Sequence, residues 1–355
     1  MIPNLDRTWL WGLVGDEAIA ELWAPQRLTE RMVRFEAAYV RALGRCGAFE
    51  TERAERLARV IETASPDPAR LREGTRRDGV PVVALVAELR AAAGQDAERI
   101  HTGATSQDVV DTALVLTLRD TTSLVLERLH ALSARLDTLI EGAGASLMTG
   151  RTRMQAAEPI RVADRLVSWR APLVDLATQL AEDRPRVERL QFGGAVGNRA
   201  ASGEYGDAIA QHLADLLGLI NPPGAWHTAR EPIVAYGDRL ARIAGALGKM
   251  GQDICLMSQQ GVDEIAIAGG GGSSAMPHKR NPVEAELLVT LARFAATQTA
   301  GLHLAMVHEQ ERSGTAWVLE WLTLPQIAAA TARALGTAQA LLHRVERVGP
   351  ALPPA

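Results

Sequence analysis

The 355-residue chain has only two cysteines, Cys46 and Cys255, and they form no CxxC pair. That excludes a disulfide-stapled scaffold and a structural zinc site. Aromatic residues make up 4% of the chain, whereas apolar residues make up 47%. A β-sandwich draws on aromatic and β-branched side chains, so this core suits close-packed helices of Ala, Leu, Val and Ile. No apolar run approaches the roughly 18 residues that cross a bilayer, so no membrane partner is expected. The first residues lack a basic leader and carry Asp6, Asp16 and Glu17, which argues against a signal peptide and for the cytoplasm. Net charge is −4, with arginines and acids interspersed, unlike the one-sided basic face of a nucleic-acid binder. The eight histidines form no HxxxH or HExxH, so no metal is expected. Lysine is the scarcest charge of all. Among 38 Lys and Arg, only Lys249 and Lys279 are lysine.

One of those two lysines stands in the most unusual segment, GGGGSSAMPHKRNP at 269–282. Four glycines free the backbone, and Pro277 and Pro282 stiffen its far side. Ser273 and Ser274 offer hydroxyls beside His278, Lys279 and Arg280. A hinge, a candidate nucleophile or base and a cationic clamp in one loop describe a lid over an anionic substrate. No GxxxxGK[ST] accompanies the glycines, so this is not a phosphate loop.

Apolar residues elsewhere recur at alternating spacings of three and four. One run is Leu240, Ile243, Leu247, Met250, Ile254 and Met257; another is Val125, Leu129, Leu132, Leu136 and Leu139. Leu166, Trp169, Leu173, Leu176 and Leu180 form a third, and Ile327, Thr331, Ala334, Ala338, Leu341 and Val345 a fourth. Such seams predict long helices packed in a nearly antiparallel bundle. The expected helices span about 106–141, 157–190, 229–264, 282–311 and 317–347, with a shorter one at 204–218. The first hundred residues are broken by Pro66, Pro68, Gly74, Gly79 and Pro81 into shorter helical patterns. The expectation is an all-α chain: a small N-terminal helical domain at 1–98, a central long-helix bundle domain at 99–348, and a tail at 349–355.

Three further segments carry polar chemistry. HTGATSQDVVDT (101–112) places Thr105, Ser106 and Gln107 at the start of a long helix, where N–H donors favour a carboxylate. An ordinary Ser/Thr cap fits the same residues. GRTRMQAAEP (150–159) holds Thr152, Arg153 and Gln155. EQERSGTAWVLEW (309–321) holds Arg312. His227, in AWHTAR, either lines a site or caps a helix.

The loop at Gly272–Pro282 resembles the GSSxMPxKxNP signature of the fumarase/aspartase superfamily, with no mismatch. The 101–112 and 150–159 segments resemble its HxGATSxD and GRTxxQxAxP patterns, and the likeness spans about residues 75–330. Segments 309–321, GVPVVALV (79–86) and QFGGAVGN (191–198) look most like the cycloisomerase branch. The resemblance implies a cofactor-free enzyme that stabilises an aci-carboxylate dianion, with a small tricarboxylate as substrate. It implies Ser273 for proton transfer, with Lys279 and Asn281 beside it. Substrate would be held by His101, Thr105, Ser106, Gln107, Thr152, Arg153, Gln155, Ser274, Met276, Arg280 and Arg312. Relatives acting on fumarate, aspartate or nucleotide substrates carry His where Arg153 stands here, and the TRRD segment at 75–78 resembles a TRHD segment of the nucleotide lyases, with Arg77 where their His stands. Arg stays charged and suits carboxylate binding rather than proton donation. The family further implies a homotetramer with each site built from three subunits. It also has a third, C-terminal helical domain, which is expected to be absent here.

Overall fold

The computed structural model describes residues 8–272, 276 and 279–350. Its fold is helical. The N-terminal region comprises α1 (Trp11–Val14), α2 (Glu17–Leu22), α3 (Pro25–Arg45), α4 (Thr51–Glu62), α5 (Pro68–Asp78) and α6 (Val82–Ala93). α7 (Ser106–Ala143) then runs 38 residues. A hairpin of β1 (Leu147–Thr152) and β2 (Gln155–Arg161) reverses the chain into α8 (Val162–Val187). After the short α9 (Gly206–Leu217) come α10 (Glu231–Met257), β3 (Ile265–Ile267), α11 (Val283–Leu304), α12 (Thr315–His343) and β4 (Val345–Val348). Strand β4 pairs antiparallel with β3.

The apolar seams meet where the spacing predicts. Leu240, Ile243, Leu247 and Ile254 of α10 are completely buried. So are Val125, Leu129, Leu132 and Leu136 of α7, and Leu166 of α8. Burying each such side chain contributes about 1.5–3 kcal/mol. α10 and α11 approach closely because glycines face the contact. A Cβ on Gly248 would lie 2.4 Å from the Ala292 Cβ, and one on Gly251 would lie 2.6 Å from the Ala285 carbonyl. Any larger residue there would push the helices apart.

A second apolar cluster joins α3, α4 and α6 to the first turns of α7. It also takes in Leu190, Phe192 and the buried face of α9, Ile209, Leu213 and Leu217. Segment 190–219 therefore packs on the N-terminal helices and ties them to the bundle.

Several helices are shorter than their periodicity suggests. The expected helix at 157–190 begins only at Val162, because 155–161 pairs with β1 and satisfies its backbone there. α10 stops at Met257 rather than 264, ahead of left-handed Gly261 and Asp263, at φ +85° and +47°. α11 ends at Leu304 rather than 311. The last helix starts at Thr315 and ends at His343, and Val345, the expected end of its seam, pairs with Ile267 in β4.

Candidate active site

α12 separates the signature segments into two groups. At its N-terminal end, the Trp317 indole nitrogen donates to Asp111 Oδ1 on the first turns of α7, at 2.9 Å. Just before that end, Arg312 Nη1 donates to Thr105 Oγ1 at 2.7 Å, and Nη2 to the Ala195 carbonyl at 2.9 Å. At its C-terminal end, Arg344 donates to the Ala268 carbonyl at 3.3 Å and pairs with Glu284. Those residues flank the glycine-rich loop. With 29 residues in α12 and about 1.5 Å per residue, the two groups lie roughly 40 Å apart.

The first group forms around two buried carboxylates. Asp108 is fully buried and accepts four hydrogen bonds. Its donors are Thr105 N–H at 3.0 Å, Gly193 and Gly194 N–H at 2.9 Å, and His227 Nε2 at 2.7 Å. One carboxylate thereby fastens the α7 N-terminus to the loop at 193–198. Backbone donors and a ring N–H are the partners a buried carboxylate needs. His227 is 3% exposed, so it neither lines an open site nor caps a helix. It supports Asp108 from behind.

Asp111, one turn on, receives Arg230 Nη1 at 2.6 Å, Trp317 Nε1 at 2.9 Å, Gln107 Nε2 at 3.1 Å and Gln191 Nε2 at 3.2 Å. Arg230 also pairs with Glu320, its Nε at 2.9 Å, and stacks on Trp226 at 4.8 Å. All three charged groups are at most 1% exposed. One guanidinium between two carboxylates leaves an excess negative charge. Burial accordingly pushes the Glu320 carboxyl above its ordinary range, against the pull of Arg230.

Gln107, expected to meet substrate, is fully buried, with its amide donating to Asp111 and to the His227 carbonyl at 2.8 Å. It braces the α7 N-terminus and does not face outward. Thr105 and Ser106 stay partly exposed at the helix start. Beside them His101 adopts φ +64° and pairs through Nδ1 with Glu36 at 2.6 Å. Burial works against the imidazolium, but the Glu36 hydrogen bond and charge outweigh it and hold His101 above its ordinary value.

The second group surrounds the glycine-rich loop. Ser273, Ser274 and His278 lie outside the described residues. The stems are joined by reciprocal hydrogen bonds between Gly271 and Asn281, at 3.0 and 2.9 Å. Arg280 Nη1 donates to the Gly269 carbonyl at 3.2 Å, and Lys279 N–H donates to the Met276 carbonyl at 3.0 Å. The stems border a cavity of about 450 Å³ that Arg280, Arg333 and Arg344 also line. The β1–β2 hairpin joins this end through Arg151, which pairs with Glu264 at 2.5 Å just ahead of β3. Thr152, Arg153 and Gln155 sit at its exposed tip. Arg153 and Met154 form the two-residue turn with φ +49° and +67°, the left-handed pair of a type I′ turn.

Sequence reasoning gave no role to Asp108, Asp111, Gln191, Arg230 or Glu320. The available signal was two aspartates three apart on a helix whose neighbours are apolar. Such carboxylates face inward and demand partners.

A long-helix bundle with the signature segments at its helix ends defines a class, and the comparisons name it. The lyase family profile matches residues 17–296, and the chain belongs to that family, within the fumarase/aspartase superfamily. It is 42% identical over 202 residues to a 3-carboxy-cis,cis-muconate cycloisomerase of Pseudomonas aeruginosa, covering 56% of this chain and 44% of that protein. The chain thus spans less than half the length of that relative in the match. It is 35% identical over 329 residues to the nitrosuccinate lyase of Streptomyces davaonensis, covering 88% of this chain and 69% of that one. The crystal structure of the 3-carboxy-cis,cis-muconate lactonizing enzyme from Pseudomonas putida superposes with a TM-score of 0.89 at 35% identity. That superposition covers 96% of this chain and 78% of the other. Among the described residues, no helix is long and apolar enough to cross a membrane.

Proposed function

We propose that this protein is a 3-carboxy-cis,cis-muconate cycloisomerase, closing 3-carboxymuconate to 4-carboxymuconolactone in protocatechuate breakdown. The observation that carries the reading is Arg153 at the exposed tip of the hairpin. There a permanently charged, bidentate carboxylate ligand replaces the histidine of relatives with other substrates. The named similarity to cycloisomerases supports the same branch.

In the reaction, one substrate carboxylate oxygen adds to a carbon of the diene and the C–O bond closes the lactone. The electron pair moves to the carbon beside a second carboxylate, giving an aci-carboxylate dianion, and a proton then adds to that carbon. Electrons balance within the substrate and one proton is taken up, delivered through Ser273 in this reading, so the step calls for no redox cofactor. The protein's task is to hold three carboxylates and stabilise the dianion with preorganised donors. Thr105, Ser106, Lys279, Asn281, Arg153, Arg280 and Arg312 supply hydroxyls, an amide and cations. Ser273 is the proton-transfer residue in this reading, activated by the N–H groups and cations of its loop.

Because the two groups lie roughly 40 Å apart along α12, one chain does not assemble the site. In this reading the protein is a homotetramer, with Thr105 and Arg312 of one chain meeting Arg153 and Lys279 of others. The similarity to nitrosuccinate lyase favours one second reading, β-elimination from a substituted succinate through the same dianion. Turnover assays on 3-carboxymuconate, nitrosuccinate, adenylosuccinate and argininosuccinate separate the two. Turnover of a succinate derivative alone would refute the cycloisomerase reading, and none on any of the four would point to a non-catalytic scaffold.

A further inference from the structure

Glu36 is a fully buried carboxylate in the middle of α3. Its Oε1 meets His101 Nδ1 at 2.6 Å, and its Oε2 has no partner among the described residues. One turn along the same face, the Tyr39 hydroxyl donates to the Thr102 carbonyl. Tyr39 is also fully buried, wedged between Phe35 and Phe192. α3 therefore grips the turn ahead of α7 at two points. That turn needs gripping, because His101 and Gly103 both stand at positive φ, +64° and +88°. For a histidine this conformation costs about 1–2 kcal/mol and persists only where the surroundings impose it.

The grip has an electrostatic consequence. A buried carboxylate with a single side-chain partner is tolerable when that partner carries the opposite charge. The other charged or titratable groups facing His101 are Asp108 from α7, which favours the cation, and Arg90 from α6, which opposes it. Arg90 is itself directed to the Ile100 carbonyl at 2.8 Å. The His101 ring keeps 17% of its exposure, and Nε2 makes no hydrogen bond to a described residue. It lies four residues ahead of Thr105, where α7 presents its unpaired N–H groups and Arg312 arrives.

We propose that Glu36 is a positioning residue, holding His101 so that its Nε2–H meets a substrate carboxylate as a charged donor beside the α7 N-terminus. This rests on the reading that the α7 end binds substrate. Glu36 touches no substrate and acts only through His101. The imidazolium, the helix terminus and the Arg312 guanidinium then converge on one anion.

Two readouts test it, and they fail separately. Histidine labelled with 13C at Cε1 gives one titrating signal per ring, and the His101 signal is the one lost in His101→Gln. In the intact protein it is expected to titrate above the ordinary 6.5, and about one pH unit or more lower in the isosteric Glu36→Gln. A wild-type value at or below 6.5 overturns the proposal without any variant, as does a value indifferent to Glu36→Gln. The second readout is the pH profile of KM for 3-carboxymuconate. KM is expected to rise as pH passes through the wild-type His101 value, with kcat less affected. In Glu36→Gln the rise starts lower, giving an about five- to tenfold higher KM near neutrality and near-equal values in acid. A Glu36→Gln defect that is equal at every pH, or confined to kcat, marks a merely structural role and overturns the proposal. The expected titration together with a KM that ignores pH leaves the Glu36–His101 pair intact but refutes substrate binding at this end.

Discussion

Replacing Arg230 with methionine isolates the electrostatics of the buried triad from any assumption about chemistry. Met fills much of the arginine's volume but leaves Asp111 and Glu320 without their shared cation. The two carboxylates are not equally exposed to the loss. Asp111 keeps the donors of Trp317, Gln107 and Gln191. Glu320 loses the only side chain among the described residues with which it forms hydrogen bonds, so Glu320 must take up a proton. Neutralising a carboxyl of ordinary value 4.5 at pH 7 costs 2.5 units at 1.36 kcal/mol per unit, about 3.4 kcal/mol. Burial already holds Glu320 above that value in the intact protein, so part of this cost is present beforehand. The expected destabilisation is about 2–3 kcal/mol at pH 7, near the range for breaking a buried pair. A carboxyl raised on folding favours the folded state below its unfolded value, and that contribution is lost as pH rises through the folded value. Arg230→Met raises Glu320 further, so the deficit should shrink by about 1 kcal/mol for each unit of acidification toward pH 5. Urea unfolding at pH 5, 6 and 7, at one protein concentration, measures it. Adding Glu320→Leu to Arg230→Met should recover most of the loss at pH 7. A pH-independent deficit, or no recovery in the double variant, would refute the assignment of the unpaired charge to Glu320.

Three further expectations concern assembly and chemistry. Light scattering should return a tetrameric mass, and a monomer with full activity would end the shared-site reading. Arg153→His should raise KM for 3-carboxymuconate by about tenfold or more, with Arg153→Lys recovering part, since charge returns without the fork. An unchanged KM with a lower kcat would instead put Arg153 in the chemical step. Ser273→Ala should lose most of kcat with little change in substrate affinity, and a near-normal kcat would remove Ser273 from proton transfer.

The long helices were legible because their seams combine strict spacing with near-total burial, as Leu240 through Met257 illustrate. The hairpin was not. Gln155–Pro159 is exposed residue after residue, so it carries no period-two signal and its composition reads equally as a helix start. Strands β3 and β4 are only three and four residues long, too short for a pattern to outweigh adjoining helical periodicity. The motif residues at the α7 N-terminus were recognisable as a group, but their division of labour was not. Gln107 stands directly after Thr105 and Ser106 in the motif yet turns inward, because Asp111 and the His227 carbonyl compete for its amide. Apart from Thr105 and Gln107, the partners of Asp108 and Asp111 lie about 80 to 200 residues away in sequence, where local reasoning has no purchase.

The tip of the β1–β2 hairpin also bears on engineering. Turns of this type favour Asn then Gly, which reach positive φ at little cost. Here Arg153 and Met154 occupy those two positions. A screen that rewards heat resistance alone would be drawn to Arg153→Asn and Met154→Gly, each relaxing the turn by up to about 1 kcal/mol. The first of these changes would remove the guanidinium on which the proposed substrate preference rests. In that reading thermal selection and catalytic selection pull Arg153 in opposite directions, and a stabilised variant of the protein should be built from other surface positions first.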